Sequence, residues 1–583
     1  MLELACREKP RHSPAVPGAS LSTLSQPATD QATPTERFAW AIFIALTLYI
    51  CYFSHLDVIG FLGPDEPRYA WIARDMSESG DWITPRLYGK PWFEKPPLLY
   101  WGGALFFNLL GEGYPEVATR LPSALSALLL TLALGWLAWR TAGRECARWL
   151  LLLLPSSVGM IGFSHAAATD MPFAGMLTIA LVSAAVVLGL VPRNEDTPIL
   201  PHTPWAALLL FGFSLGLAVL AKGPAAVILA GGAVLFWALL SQRWRDALRL
   251  LHPASIVAFC LTALPWYIVC ARRNPDFLRI FIIEHNFKRF LTSEFQHMQP
   301  VWFYLPILLI AFLPWLPTTV WSFSNGLRTR ARSPLTSLLL AWSVFCVVFF
   351  SISKSKLPGY ILPAIPAMWL MVARGVQAEG PTHKKSFRAS GAIGSLLLGV
   401  LSLFLFEAGR LTSPNSHLSG RAGKAYALLA LSFALANLLL AALRRDRGSQ
   451  LGIVRFAVAP ILVCVLLAPY FAGSSFDHDP SGRTIGYALK RSMVTQDDLF
   501  LGPMTRGNRY GINFYSSREI PEWNPDHPRA GVLVLERRNC AVVVPAPFVC
   551  SGGSELSENS GAFVYLVTPA DSLGRPGVGR QPQ

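Results

Sequence analysis

Long apolar blocks are the feature of this sequence that most limits what the chain can fold into. Trp205–Leu220, for instance, reads WAALLLFGFSLGLAVL and contains no charged residue. The chain is 52% hydrophobic and only 15% charged, whereas charged residues make up about a quarter of a soluble domain. The sequence therefore predicts an α-helical multi-span membrane protein. It excludes a soluble Rossmann enzyme, a nucleic-acid-binding domain and a disordered tail as descriptions of the whole chain.

About thirteen apolar blocks qualify as spans by the rule of about 20 apolar residues, several of them at its short end. The first block begins too far into the chain for a cleaved signal peptide, and we interpret it as a signal anchor. Leu98–Leu110 is apolar but short, which predicts an interfacial or re-entrant helix. The predicted spans are Phe38–Phe53, Leu121–Trp139, Trp149–Phe163, Met171–Val191, Trp205–Leu220, Pro224–Leu240, Pro253–Cys270, Val301–Trp321, Leu335–Ser351, Leu357–Val372, Ala389–Leu405, Ala425–Leu443 and Val454–Phe471.

The charge pattern predicts which links between spans face the cytoplasm. If the N-terminus is cytoplasmic, alternate links contain clusters of Lys and Arg, as cytoplasmic loops usually do. The same preference accounts for the net charge of +15 without a nucleic-acid partner. Two long loops, residues 61–120 and 271–300, then lie outside. The second loop is basic despite this placement. Either the number of spans predicted before it is wrong, or its charges have a function.

Three regions are expected along the chain. Residues 1–37 are rich in Pro, Ser, Thr and Ala, which predicts a disordered cytoplasmic tail. Residues 38–472 form the transmembrane domain with its external loops. Residues 473–583 alternate turn residues with apolar runs such as Gly531–Leu535 and Ala562–Val567, which predicts a small extracytoplasmic α/β domain. Cys540 and Cys550 lie in this last region and could pair if it faces an oxidising compartment.

The first external loop contains the strongest candidate for a catalytic acid. Residues 63–74 read GPDEPRYAWIAR, in which Pro64 and the following acids suit the first turn of a helix. Asp65, Arg68 and Tyr69 share one face of this helix, which makes Asp65 the candidate acid and the other two candidate substrate contacts. Glu66 points away from that face. The alternative is an ordinary helix start with favourable charges.

Farther along the same loop, residues 88–97 read YGKPWFEKPP. A residue before proline avoids the helical region, so Lys95 should be extended. Glu94 and Lys95 should then point to opposite sides, where they could bind a cation and a phosphate respectively. The alternative is a solvated ion pair on a loop that proline stiffens.

Further candidates lie in short external links. Asp170 stands where one link enters a span, either as a functional acid or as a helix N-cap. Lys222, Lys354 and Lys356 oppose the positive-inside preference, unless they are anchors whose ends reach the membrane surface.

The second long loop contributes one more group of candidates. Glu284 with Lys288, and His285 with Arg289, have the i,i+4 spacing of a helix. His285 is a candidate metal ligand, although a lone histidine is more often structural or merely exposed.

Under one topology, these ionisable residues meet at the outer face of the membrane. Several cations beside a few carboxylates suit a phosphorylated lipid head group next to a general base, because phosphate forms charge-assisted hydrogen bonds with Lys and Arg. No Walker-type loop occurs in a strand–helix setting, so we expect no nucleotide cofactor. The residues are Asp65, Glu94, Lys95, Asp170, Lys222, Glu284, His285, Lys354 and Lys356.

Five ordered motifs resemble those of the ArnT-like polyprenyl-phosphate-sugar glycosyltransferases, a branch of the protein O-mannosyltransferase superfamily. The resemblance covers residues 38–372 well and the remainder only in general architecture. It implies the multi-span GT-C fold. The motifs are PDEPRYA (Pro64–Ala70), FEKPPLLYW (Phe93–Trp101), TDMP (Thr169–Pro172), AKGP (Ala221–Pro224) and SKSKLPGYILPAIPA (Ser353–Ala367).

The resemblance also implies roles for individual residues. Asp65 would be the main catalytic carboxylate, with Asp170 a second acid near it. Lys95 would hold the phosphate of the lipid carrier. Glu94 and His285 would match a site for a divalent cation, although two ligands alone do not make a metal site. Residues expected to assist Lys95 at the phosphate are Arg289, Lys354, Lys356 and Tyr360.

The implied reaction is transfer of a sugar from a polyprenyl phosphate donor to a lipid or glycolipid acceptor. The best-known pairing of the family is 4-amino-4-deoxy-L-arabinose with lipid A. The implied location is the bacterial inner membrane, with the active site facing the periplasm. Two alternatives stay open: a flippase or transporter that binds lipid-linked sugars without chemistry, and a protein O-mannosyltransferase with another sugar and acceptor.

Overall fold

The computed structural model describes residues 33–192, 204–288, 298–329, 333–378, 481–491, 498–535, 540, 543–556 and 562–569, with a few isolated positions between 389 and 466. The chain divides into a unit Met1–Ala45 and a unit Leu46–Gln583, and the site described below lies within the second.

The described part of the chain is mainly helical. Proline stands in the first turn of helices such as those at Pro115, Pro253 and Pro334, where its missing N–H costs no hydrogen bond. The α-helices are α1 Pro34–Tyr52, α2 Asp65–Ser79, α3 Leu98–Leu110, α4 Pro115–Leu153, α5 Val158–Ser164, α6 Asp170–Val187, α7 Trp205–Lys222, α8 Ala225–Ser241, α9 Trp244–Ala247, α10 Pro253–Arg273, α11 Tyr304–Ala311, α12 Leu316–Thr329, α13 Pro334–Ile352, α14 Ile365–Ala378, α15 Arg483–Arg491 and α16 Arg506–Ser516. The 3₁₀ helices are Leu248–Leu251, Val301–Phe303 and Pro358–Ala364, and a π-helix covers Arg279–Lys288.

The helices confirm a multi-pass membrane protein. Among the described residues, seven helices are long and apolar enough to cross a membrane, or eight if one bent pair counts as a single span. The three spans predicted after residue 388 lie outside the described residues, apart from isolated positions. The number of about thirteen spans therefore stays a prediction.

Two predicted spans are broken in ways that the apolar pattern did not indicate. The block Val301–Trp321 consists of two helical pieces, Val301–Ala311 and Leu316–Ser324, bent by 116°. The block Trp149–Phe163 is interrupted after α4 and resumes only as the short helix α5. Pro314 and Pro155 lie in these two breaks, and proline cannot donate the backbone hydrogen bond that would continue a helix.

The helix α6 lies at the centre of the membrane domain. In its most apolar stretch 83% of the residues are buried, against 22% in α10. It packs against α4 and α7, and α7 packs in turn against α10. Because α6 begins at Asp170, this enclosed position fixes where that acid lies.

The long loop of residues 61–120 forms α2 and α3, joined by the short antiparallel hairpin of β1 Arg86–Leu87 and β2 Lys90–Pro91. Both helices carry apolar side chains into a shared cluster that contains Tyr69, Met76 and Tyr100. Trp101 Nε1 donates a hydrogen bond to the carbonyl of Trp82 at 2.7 Å. The loop is therefore an ordered platform against α4.

The C-terminal region is the small α/β domain that the sequence predicts. Its four-stranded sheet has the order β3-β4-β6-β5, with β3 and β4 parallel and the other pairs antiparallel. The strands are β3 Leu499–Leu501, β4 Gly531–Leu535, β5 Phe548–Glu555 and β6 Phe563–Pro569. A disulfide joins Cys540 to Cys550, a pairing that the sequence left open.

Candidate active site

Asp65 is the first residue of α2 and is half exposed, with 48% of its side chain accessible. Pro64 and the two acids of the first turn favour this helix start, since carboxylates stabilise the positive end of a helix. Arg68, one turn on, donates a hydrogen bond to Asp65. The i,i+3 spacing thus brings these two side chains together as predicted, and it leaves the carboxylate accessible to a substrate.

Arg68 connects Asp65 to the second motif of the loop. Its guanidinium also donates to Glu94 Oε2 at 3.1 Å and to the carbonyl of Pro64 at 2.8 Å. Burial opposes the charge of this side chain, but the carboxylates of Glu94 and Asp65 outweigh that effect and raise the pKa of Arg68. Lys95 Nζ lies 3.9 Å from Glu94 Oε1. A continuous series of ion pairs therefore runs from Asp65 through Arg68 and Glu94 to Lys95.

Glu66 has a different environment from its neighbour. Its Oε2 accepts hydrogen bonds from Arg120 Nη2 at 2.8 Å and from the amide of Leu62 at 2.7 Å. Its Oε1 accepts from the amide of Ala167 at 2.6 Å. The pair is buried, with the exposed side-chain fractions at 5% for Arg120 and 9% for Glu66. Glu66 therefore fixes α2 to α4 and to the link before Asp170, a role that sequence reasoning missed.

Asp170 and Lys222 meet although 52 positions separate them. Asp170 begins α6 and Lys222 ends α7, and these neighbouring helices place the two charges in an ion pair at the same end. Lys222 Nζ also lies 4.3 Å from the centre of the Tyr360 ring. Gly359 leaves room for Asp170, since a Cβ at position 359 would lie 2.5 to 2.8 Å from the Asp170 carboxylate group.

A cavity of about 330 Å³ lies beside these ion pairs. Lys95 and Lys222 belong to its wall, so the series from Asp65 and the pair with Asp170 both reach it. One part of the wall is cationic and hydrogen-bonding, and the other is apolar and aromatic. The lining residues are Lys95, Lys222, Pro224, Ala225, Ile228, His285, Asn286, Phe287, Phe349, Phe350, Ser353, Ser355 and Tyr360.

Two predicted substrate contacts, Tyr69 and Lys356, are buried and are not among the residues that line this cavity. Tyr69 is only 3% exposed and packs within the cluster of the first loop, 5.7 Å from the ring of Tyr100, where burial raises its pKa well above the usual value. Lys356 is buried and donates to the carbonyls of Ser353 at 2.6 Å and Gln299 at 3.0 Å. These contacts are typical of buried structural residues, and the roles of Tyr69 and Lys356 in substrate binding stay predictions.

Lys354 is exposed, and it acts on Lys356 through its charge. Burial and the ammonium group of Lys354 both lower the pKa of Lys356. From this segment it is Ser353, Ser355 and Tyr360 that line the cavity. Arg289, the remaining predicted phosphate contact, lies outside the described residues.

The predicted cation site is only partly assembled. His285 lines the cavity, while Glu94 accepts a hydrogen bond from Arg68 and lies in an ion pair with Lys95. No group of three or more His, Cys, Asp or Glu side chains that could hold a metal ion occurs within the described ranges. This donor set does not fit a resident cation by itself, because zinc in proteins normally has three or four protein ligands. The metal stays a prediction.

The segment around His285 is a π-helix, whereas the sequence suggested i,i+4 helical spacing. Glu284 Oε1 accepts a hydrogen bond from Arg279 Nη1 at 2.5 Å, five residues before it. This is the spacing that a π-helix brings together, and such turns occur often at functional sites.

Comparison with known proteins shows which family the chain belongs to. A family model described as dolichyl-phosphate-mannose-protein mannosyltransferase matches residues 38–281. The undecaprenyl phosphate-alpha-4-amino-4-deoxy-L-arabinose arabinosyl transferase of Serratia proteamaculans is 31% identical over 435 residues, which cover 74% of this chain and 76% of that protein. The protein of the same name from Edwardsiella ictaluri is 34% identical over 338 residues, which cover 58% of this chain and 59% of the Edwardsiella protein.

A solved structure shows the fold. The crystal structure of ArnT from Cupriavidus metallidurans bound to undecaprenyl phosphate has a TM-score of 0.70 and 23% identity, and the match covers 92% of this chain and 99% of that one. Fold, site and relatives together define a multi-pass membrane glycosyltransferase with the GT-C fold. Within that class, the chain belongs to the family of the undecaprenyl phosphate-alpha-4-amino-4-deoxy-L-arabinose arabinosyl transferases. The relationship predicted from the five motifs is confirmed.

Proposed function

We propose that this protein transfers 4-amino-4-deoxy-L-arabinose from undecaprenyl phosphate to a lipid A-type acceptor at the periplasmic face of the bacterial inner membrane. The observation that carries the proposal is the cavity in which Lys95 and Lys222 stand beside an apolar aromatic wall. A polyprenyl phosphate has the same two parts, an anionic head and an apolar chain. Lys binds phosphate through charge-assisted hydrogen bonds, and Ile228, Phe287 and Phe349 offer apolar contact to the chain.

The cations serve the leaving group. In the transfer, the bond between the sugar's anomeric carbon and the phosphate oxygen breaks, and a bond to an acceptor oxygen forms. The departing polyprenyl phosphate is already a stable anion, so no strong general acid is needed. Lys95 and Lys222 stabilise its charge in a site that the membrane domain partly shields from water.

Asp65 is the residue that we assign to the acceptor and the sugar. Arg68 orients its half-exposed carboxylate through a hydrogen bond, and Glu94 holds Arg68 in place through another. We assign Asp65 to orienting the acceptor and taking up the proton that an acceptor hydroxyl loses, or to stabilising positive charge at the sugar carbon. Asp170 holds Lys222 in the cavity wall.

A transfer assay tests the proposal. Purified protein in lipid vesicles receives undecaprenyl phosphate carrying labelled aminoarabinose, together with lipid A, and labelled lipid A is measured. Asp65→Asn should abolish detectable transfer, while Asp75→Asn, which removes a carboxylate ten residues along the same helix, should retain it. A wild-type protein that moves the donor across the vesicle but forms no labelled lipid A would instead identify a flippase. Equal activity of both variants would remove Asp65 from the mechanism.

A further inference from the structure

The C-terminal domain reaches the candidate active site through one helix. Gly507, Tyr510, Gly511 and Phe514 lie on α16 at i, i+3, i+4 and i+7, which places them on a single face. All four are buried, and α16 packs against α2. Thr505 begins the helix by accepting a hydrogen bond from the amide of Asn508 at 3.2 Å.

The approach is closest where α2 begins. A Cβ added to Gly507 would lie 3.2 Å from the carbonyl carbon of Gly63 and 3.3 Å from its Cα. Gly63 precedes Pro64 and Asp65, and its positive φ of 64° is one that glycine adopts readily. The backbone of α16 therefore packs against the turn that immediately precedes the candidate acid Asp65.

Tyr510 covers the arginine that orients this acid. Its ring centre lies 5.2 Å from the guanidinium carbon of Arg68, and the ring of Trp92 lies 5.4 Å from the same atom. The donor groups of Arg68 already bond to Asp65, Glu94 and the carbonyl of Pro64. The two rings therefore contact the guanidinium while its edges hold the carboxylates. Desolvated contacts of this kind between a cation and an aromatic ring are the strong ones.

We infer that Tyr510 is a positioning residue of the transferase, acting on Asp65 through Arg68. The C-terminal domain is then part of the catalytic machinery, because it supplies one of the rings that fix the guanidinium. The inference rests on the proposed function, in which the orientation of Asp65 limits sugar transfer.

Phe514 offers a matched control on the same helix. Its ring centre lies 4.4 Å from the guanidinium carbon of Arg74, which pairs with Glu78 at 3.7 Å. Replacing either aromatic residue by leucine removes a ring from an arginine of α2 and weakens the same interface. Of these two aromatic residues, Tyr510 is the one that contacts Arg68, the arginine that bonds to Asp65.

The test measures kcat and the donor KM in the vesicle transfer assay. Tyr510→Leu should lower kcat about tenfold with the donor KM within about twofold, since an effect on orientation falls on the chemical step. Tyr510→Phe keeps the ring and should stay within about twofold in both constants. Phe514→Leu should keep kcat within about twofold. An unchanged kcat in Tyr510→Leu, or an equal loss in Phe514→Leu, would overturn the inference.

A double-mutant cycle keeps the test valid if Tyr510→Leu folds poorly. Tyr510→Met is introduced into the wild type and into Arg68→Lys, and thermal unfolding verifies that each variant is folded. If Tyr510 acts through Arg68, the methionine variant should add little to the loss in Arg68→Lys; additive losses would contradict it. A wild type without transfer would overturn the proposed function as well. An active wild type with a fully active Tyr510→Leu would overturn this inference alone.

Discussion

The two carboxylates that open α2 are adjacent in sequence and lie in opposite surroundings. Asp65 is half exposed and accepts from one arginine, whereas Glu66 is buried and accepts from Arg120 and two backbone amides. A helix start explains why both acids are favoured there. Only the three-dimensional contacts decide that the first is available to a substrate and the second is a structural anchor.

The buried pair predicts a large loss of stability in Glu66→Gln. Removing one charge of a buried pair leaves the other uncompensated, which costs about 3–5 kcal/mol. Thermal unfolding of the purified protein should show this loss as a clearly lowered midpoint. Glu78→Gln is the control on the same helix, because its pair with Arg74 is at 3.7 Å and Glu78 is 58% exposed; it should cost less than about 1 kcal/mol. Equal shifts in the two variants would refute the anchoring role of Glu66.

How far the site could be predicted depended on the separation of its residues. The Asp65–Arg68 pair follows from helical spacing, and the two residues do bond. The pairs Arg68–Glu94 and Asp170–Lys222 join different elements, so no local pattern indicates them. The one available signal for Arg120 was a charge at the start of an apolar block. The family resemblance, not a local pattern, placed Lys354 and Lys356 at the phosphate, and in the structure Lys356 donates hydrogen bonds to backbone carbonyls.

Tyr515 of α16 joins the C-terminal domain to the membrane domain. Its hydroxyl donates to Glu116 Oε1 at 2.6 Å and accepts from the amide of Phe61 at 3.0 Å. Gly60 and Gly511 permit the contact, since a Cβ at either position would collide with Ser481. Burial raises the pKa of Tyr515 well above its usual value, and the charge of Glu116 adds to the effect.

Tyr515→Phe should therefore destabilise the protein by about 1–3 kcal/mol, because the buried carboxylate of Glu116 loses a donor. The raised pKa also has a consequence at alkaline pH. Above about pH 10 the unfolded chain loses the tyrosine proton that the folded protein keeps, so stability falls as pH rises, and the phenylalanine variant should show a shallower fall. Unfolding midpoints between pH 7 and 11 would measure both effects. Tyr487→Phe, whose ring lies 5.1 Å from Tyr515, is the control.

Apolar patterns predicted the existence of the helices and strands better than their interruptions. Gly531–Leu535 is a strand with the bounds of its apolar run, and Leu98–Leu110 is a helix with the bounds of its block. The apolar period does not report a bend, because a bent span buries the same residues as a straight one. The apolar pattern therefore did not indicate the 116° bend within Val301–Ser324, and it did not indicate the π-helix Arg279–Lys288 either.

The proposed reaction requires a single orientation of the protein in the membrane. The first loop and the link at Lys354 should both face the periplasm, and the link at Arg245 the cytoplasm, as the positive-inside preference indicates. Single cysteines at Gly113, Lys354 and Arg245, all exposed, test this in a variant without other free cysteines. A membrane-impermeant maleimide applied to spheroplasts should label the first two positions and reach the third only after permeabilisation. Labelling of Gly113 and Lys354 from opposite sides would contradict the arrangement.

The proposed function requires that the cavity beside Lys95 and Lys222 binds the phosphate of the lipid carrier. Binding of undecaprenyl phosphate to the purified protein, compared with uncharged undecaprenol, tests it most directly. One charge-assisted hydrogen bond contributes about 1.5–3 kcal/mol, so Lys95→Met should weaken phosphate binding about tenfold or more. The exposed Lys90→Met on the same loop should leave it unchanged. Equal affinities of the wild type and Lys95→Met for undecaprenyl phosphate would contradict the account.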